Sequence, residues 1–209
     1  MRHAWLLGWG FIVALQLQAA PPLDNAFRPW RNEAGLSIER ANSQAGPSWI
    51  RASFEIDAGA DQLLSILSNF ELYQENFKHS LKAATVLEQG NNVGAPFARM
   101  HLVWPALKSW QFWKKQDGVV RYSVARNARG HFALSWQADA KEGDPSIGER
   151  RPQIEGYSEL VPLSATKTRV IYCFYADYGP QVDDDKQQQL WQQQPQAFRQ
   201  DLLSALNLN

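Results

Sequence analysis

Cysteine is almost absent: Cys173 is the only one in 209 residues, so no intramolecular disulfide can form. Its neighbours, Val170-Ile171-Tyr172 and Phe174-Tyr175, are apolar, which marks Cys173 as a small buried residue. It stands far from the N-terminus, which excludes a lipid-attachment role. An excess of charge is missing too, because 21 Lys and Arg balance 21 Asp and Glu with no basic block anywhere. Attraction to nucleic acid or to an anionic membrane surface is therefore not written into the charge. Long hydrophobic runs are also lacking. The longest, Ala4 to Leu15, falls short of the ~20 residues that span a bilayer, and Gln16, Gln18 and Pro21-Pro22 close it. Nor is there a Cys/His metal spacing, a Gly-rich phosphate loop or a Gly-x-Ser-x-Gly elbow. The four histidines, His3, His79, His101 and His131, are scattered, so no acid-base constellation stands out. Asp183-Asp184-Asp185 lacks the glycine and spaced ligands of a calcium loop and reads as a helix N-terminus. These residues call for no metal, no cofactor and no catalytic group.

What is present begins with Arg2 and His3 ahead of the short apolar run, the form of a secretory signal. Cleavage is expected after Ala19 or Ala20, although Leu17 or Gln18 three places back is not the ideal small residue; an uncleaved N-terminal helix is the alternative. Residues 1–20 are thus expected to direct export to the periplasm or outside. The roughly 190 residues left, 21–209, suit a single soluble domain. Seven tryptophans lie in that part: Trp30, Trp49, Trp104, Trp110, Trp113, Trp136 and Trp191. So many amphipathic rings imply a wide core or a lined cavity.

The hydrophobic period changes along the chain. Residues 36–40 and 48–56 alternate apolar with polar across the turn formers Gln44-Ala45-Gly46-Pro47, predicting a hairpin. Leu63, Ile66, Leu67, Phe70, Tyr73 and Phe77 then recur at helical spacing, predicting a helix broken near Asn69. Period two returns, with strands expected near 81–88, 96–104, 109–116, 118–126, 131–138, 153–162 and 168–177. Asp117-Gly118 is the clearest hairpin signal among them. A last helix follows, with Trp191, Pro195, Phe198, Leu202 and Leu206 on one face, and Pro195 expected to kink it or to begin its second half. The glutamine runs 187–189 and 192–194 read as its solvated face.

Several segments carry a resemblance. Trp30 followed by Asn32-Glu33-Ala34-Gly35-Leu36-Ser37-Ile38, then Ile50 to Asp57 and Leu63 to Tyr73, is similar to the opening of START (steroidogenic acute regulatory lipid transfer) domains of the Bet v 1-like superfamily. Leu102-Val103-Trp104-Pro105, Glu159 to Leu163, Thr168 to Tyr172 and the proline-containing last helix continue it over roughly residues 30–206. One departure is Lys108-Ser109-Trp110, where the family carries an Arg-Asp pair. The resemblance implies an α+β helix-grip fold, a curved antiparallel sheet around a long C-terminal helix with two short helices after the second strand. It further implies an internal cavity for a hydrophobic small molecule such as a lipid, a sterol or a polyketide-like compound. Transient membrane contact is compatible with that role. Access would come by movement of the last helix or of the loop 89–96 with Gly90 and Gly94. Relatives of this fold include cyclases and hydrolases, so an enzyme is the rival reading. A third is an envelope interaction module using Trp110, Phe112 and Trp113.

The ligand contacts expected on this fold are Arg99, His101, Trp104, Glu155, Tyr157, Tyr172, Phe198 and Leu202. Along 97–103, Phe97, Arg99, His101 and Val103 share one face, and Ala98, Met100, Leu102 and Trp104 the other. If the first set looks inward, Arg99 and His101 hold a polar head, with Glu155 as the buried partner of Arg99; otherwise they lie on the solvated outside of the sheet.

Overall fold

The computed structural model describes residues 24–33, 35–41, 48–92, 95–108, 113–147, 152–178 and 184–207. The proposed signal, residues 1–20, lies outside them, as do Trp110 and Phe112. A short turn at Asp24–Ala26 leads into β1 (Arg28–Glu33), β2 (Leu36–Ala41) and β3 (Trp49–Ile56). Helix α1 (Ala60–Leu67) follows, then a 3-10 turn at Phe70–Leu72 and the short α2 (Tyr73–Asn76). The expected break at Asn69 is the cap between α1 and that turn. Six strands succeed: β4 (Ala83–Asn92), β5 (Ala95–Lys108), β6 (Trp113–Arg126), β7 (Phe132–Ala138), β8 (Gln153–Ser164) and β9 (Lys167–Asp177). Helix α3 (Asp184–Ala205) closes the chain.

All nine strands join one antiparallel sheet in the order β1-β2-β3-β9-β8-β7-β6-β5-β4. The sheet is open and curved, and α3 packs in its concavity, the helix-grip arrangement. Strand alternation builds the shared core: Ile50, Ala52, Phe54 and Ile56 on β3 face the same side as Ala98, Met100 and Leu102 on β5. From α3, Phe198 meets that face, its ring 4.3 Å from Tyr172 and 6.3 Å from Phe54. Leu202 beside it is fully buried, a contribution of about 2 kcal/mol for a leucine taken out of water. Trp191 Nε1 donates to Ala176 O at 3.4 Å and fixes the first half of α3 to β9. On the convex side a small second cluster gathers Phe27, Trp49, Cys173 and Tyr175. Cys173 is fully buried there, as its apolar neighbours require.

The structure departs from the sequence reading at three places. Asp117-Gly118 is not a turn but lies inside β6, which joins the expected strand 118–126 to 113–116; residues 109–112 lie outside the described residues. Lys108 pairs with Trp113, so the chain reverses between them, ahead of the expected turn. Tertiary demands outweigh the local turn preference here. Asp117 is fully buried, 2.7 Å from His101 Nε2, and accepts a hydrogen bond from Ile147 N at 3.2 Å. Gly118 leaves room for the Trp104 ring, which would stand 3.3 Å from any Cβ at that position. Secondly, β1 is a paired strand although its sequence shows no alternation, because it forms the exposed edge. Thirdly, the loop expected at 89–96 is mostly ladder, with Asn92 paired to Ala95. Pro195, expected to kink the last helix or to begin its second half, lies inside α3, which runs on through it. Among the described residues, no helix is long and apolar enough to cross a membrane.

Candidate ligand site

Between the concave face of the sheet and α3 lies a cavity of about 470 Å³. Its sheet wall carries Trp104 from β5, Trp136 from β7, Ile154 from β8 and Tyr172 from β9. Its helix wall carries Gln189, Gln193 and Gln194. The same four sheet residues also border an inner annex of about 70 Å³, which reaches Tyr73, Tyr122, Leu134, Ser158 and Phe198. Aromatic rings run through both spaces in a connected chain. Tyr122 lies 6.3 Å from Trp136, Trp136 stacks 5.4 Å from Tyr172, and Tyr172 stacks on Phe198. Gly156 makes this possible on β8. A Cβ there would stand 2.6 Å from the Trp136 ring and 2.3 Å from Cys173 O, so only glycine lets that ring lie over the strand.

The polar groups of the annex are uncharged. The hydroxyls of Tyr73 and Tyr122 are hydrogen-bonded to each other, and burial pushes both phenols well above their ordinary range. Burial does the same to Tyr172 and to Tyr178 at the outer cavity. All four therefore remain neutral at any working pH. Beside them Asp201 on α3 is fully buried and accepts from His79 N at 2.8 Å and from Ser80 N at 2.9 Å. His79 Nδ1 adds a contact of 2.8 Å to the same carboxylate. Asp201 thereby pins α3 to the turn that follows α2.

The sheet separates the residues expected as ligand contacts. Trp104, Tyr172 and Phe198 line the two spaces, while Leu202 is core next to them. Arg99, His101, Glu155 and Tyr157 lie on the opposite, convex face, which corrects the inward reading of that set. Arg99 and His101 are not solvated either, while Glu155 and Tyr157 are half-buried. Residues 139–147 fold over Arg99 and His101, leaving each 7 % exposed. Arg99 donates to Asp139 O at 3.2 Å and forms ion pairs with Asp139 at 3.0 Å and with Asp144. Its partner is therefore this acidic segment and not Glu155. Tyr157 packs with Cys173 in the convex cluster. Burial raises Glu155 above the usual carboxylate range, and its side chain points away from the cavity.

Sequence reasoning missed three features. Of the glutamines assigned to a solvated face, Gln189 and Gln193 are exposed as expected while bordering the cavity, Gln194 is half-buried against it, and Gln187 is buried. Asp201 carried a signal, since an acid three residues after Phe198 and next to Leu202 falls on the apolar stripe of α3. Ser80 and Ser158 gave none. The three carboxylates 183–185 flank the start of α3 at Asp184, although Asp183 lies outside the described residues. Among those residues no group of three or more His, Cys, Asp or Glu is gathered to hold a metal.

No family model and no curated protein sequence matches the chain. Solved structures do. A STAR-related lipid transfer protein from Xanthomonas axonopodis superposes with a TM-score of 0.69 at 18 % identity, covering 87 % of this chain and 99 % of that one. Human StAR-related lipid transfer protein 5 gives 0.75 at 14 % identity, covering 88 % of each chain. A START superfamily protein from Mycobacterium smegmatis gives 0.56 at 17 % identity, covering 76 % of this chain and 97 % of its own. With the helix in the grip of the sheet and these superpositions over most of its length, the chain has the START-type helix-grip fold.

Proposed function

We propose that this protein binds one lipid-like hydrophobic molecule between the sheet and α3 and carries it through water outside the cytoplasm. The observation that carries the reading is the aromatic-walled cavity of about 470 Å³, which falls within the ~300–1,000 Å³ of pockets that bury a drug-sized ligand. An apolar molecule gains about 25 cal/mol for each Å² it removes from water, and the walls of Trp104, Trp136, Tyr172 and Phe198 supply that area. Two of the structural neighbours bear lipid transfer in their names, and the shared fold extends that role to this chain as a proposal. Export rests on Arg2, His3 and the apolar run that follows them. Binding is favoured over chemistry because His79, the histidine on the cavity wall, turns Nδ1 to Asp201, and the neighbouring Ser80 Oγ has no hydrogen-bond partner that would activate it as a nucleophile. Release would require α3 to swing away from Asp201's partners, His79 and Ser80.

Native mass spectrometry of protein purified from the envelope tests this reading. A single co-purifying hydrophobic compound, lost on organic extraction, is the expected result. Ligand-free protein held in a stable complex with another protein would favour an interaction module instead. N-terminal sequencing of the same material is expected to begin at Ala20 or Pro21.

A further inference from the structure

The inner annex contains two buried hydroxyls with no hydrogen-bond partner in the protein, Ser80 Oγ and Ser158 Oγ. Both residues are more than nine-tenths buried, and both border the annex. They come from separate elements, the turn after α2 and strand β8, yet they converge on one small space. A buried hydroxyl without a partner is costly, about 1–3 kcal/mol, and native interiors seldom retain two side by side. The Tyr73–Tyr122 pair shares the same space. Two phenols joined by one hydrogen bond leave one of the two hydroxyl protons outside it.

We infer that the inner annex is a receptor for one uncharged hydroxyl or carbonyl group of the ligand, held by Ser80, Ser158 and the Tyr73–Tyr122 pair. This rests on the carrier reading and narrows its ligand to neutral lipids with a small polar end, inserted polar end first. Charge decides against the alternatives. No residue bordering the annex is Lys, Arg, His, Asp or Glu, so a carboxylate or phosphate placed there would be buried with no cation. Asp201 acts electrostatically on both Tyr73 and Tyr172, and its carboxylate would repel an anion placed there. Size points the same way. Two acyl chains of ordinary length hold about 30 carbons, and at a volume per methylene near water's ~30 Å³ share they exceed the cavity roughly twofold. One chain or one fused-ring body fits, with Trp104 and Trp136 along its length.

The test uses the mature chain, its Ser80→Ala/Ser158→Ala double variant, and three probes of equal chain length: hexadecanol, hexadecanoate and hexadecane. The wild-type protein is expected to bind hexadecanol at least about tenfold more tightly than hexadecanoate, the discrimination of one unpaired buried charge or more. The double variant should weaken hexadecanol about tenfold, as loss of one to two net hydrogen bonds predicts, and leave hexadecane unchanged. Its melting temperature should equal or exceed that of the wild type, because two unpaired hydroxyls have been removed. Hexadecanoate binding as tightly as hexadecanol, hexadecanol indifferent to the double variant, or a lowered melting temperature would each overturn the assignment. Uptake of all three probes with equal affinity would leave the cavity standing and remove only its polar end. Uptake of none would remove the carrier reading as well.

Discussion

The two faces of one sheet handle polar groups in opposite ways. On the convex face they are ionisable and matched: Arg99 with Asp139 and Asp144, His101 with Asp117, Arg51 with Glu39 and Asp24. On the concave side the cavity and its annex are lined mostly by hydroxyls and amides, with Asp201 tied to His79 and Ser80 beside them, and two of the hydroxyls lack partners. The convex groups are structural because their demands are met within the chain. Ser80 and Ser158 on the concave side point to a ligand because theirs are not. A perturbed charge in a sheet is thus a weaker marker of function in this molecule than an unpaired hydroxyl beside a cavity.

The comparison breaks first at its hinge, Gly156. Gly156→Val would drive a side chain into Trp136 and the Cys173 carbonyl, and a loss of more than about 4 kcal/mol is expected in urea denaturation. A near-wild-type midpoint would mean that the ring does not lie over β8. Asp201→Ala comes next, because it strands the buried amides of His79 and Ser80, at a cost of about 3 kcal/mol. Proteolysis within α3 should accelerate in that variant, and an unchanged cleavage rate would remove Asp201 as the pin. Arg99→Ala sharpens the contrast between faces. It is expected to cost about 2 kcal/mol, part of the pair being screened by water at the edge of the covering segment, yet to leave ligand affinity unaltered. A fall in affinity among folded molecules would return Arg99 to the site. The smallest effect is at Cys173, whose thiol is fully buried and pushed up to about 12 by that burial. Ellman's reagent at pH 8 should find no thiol in the native protein and one per chain in guanidinium; prompt native reaction would show the convex cluster to be open.

The fold was legible because its signals are long and redundant. Strand alternation along 48–56 and 168–177 and the helical stripe from Trp191 to Leu206 each repeat the same message several times. Asp117-Gly118 misled because a two-residue turn preference is a local quantity. The buried contact to His101 and the Trp104 ring that override it come from β5 and are invisible in the dipeptide. The site was half legible for a related reason. Alternation on β5 divides Arg99 and His101 from Met100 and Leu102, but it does not say which set faces α3. The apolar set was the better choice, since its rings and aliphatics alone can meet Phe198. Gln187 and Gln194 escaped because glutamine has high helix propensity on any face. Ser80 and Ser158 escaped because their meaning lies in a missing partner, which no sequence displays.

The most direct measurement is quenching of tryptophan fluorescence by a brominated long-chain alcohol. If the ligand lies between the sheet and α3, saturation should dim the wild-type protein, and the dimming should shrink sharply in Trp104→Phe/Trp136→Phe while Trp49→Phe on the convex face retains it. Equal quenching in the wild type and the double variant would contradict the account, for the ligand would then bind elsewhere than in the cavity.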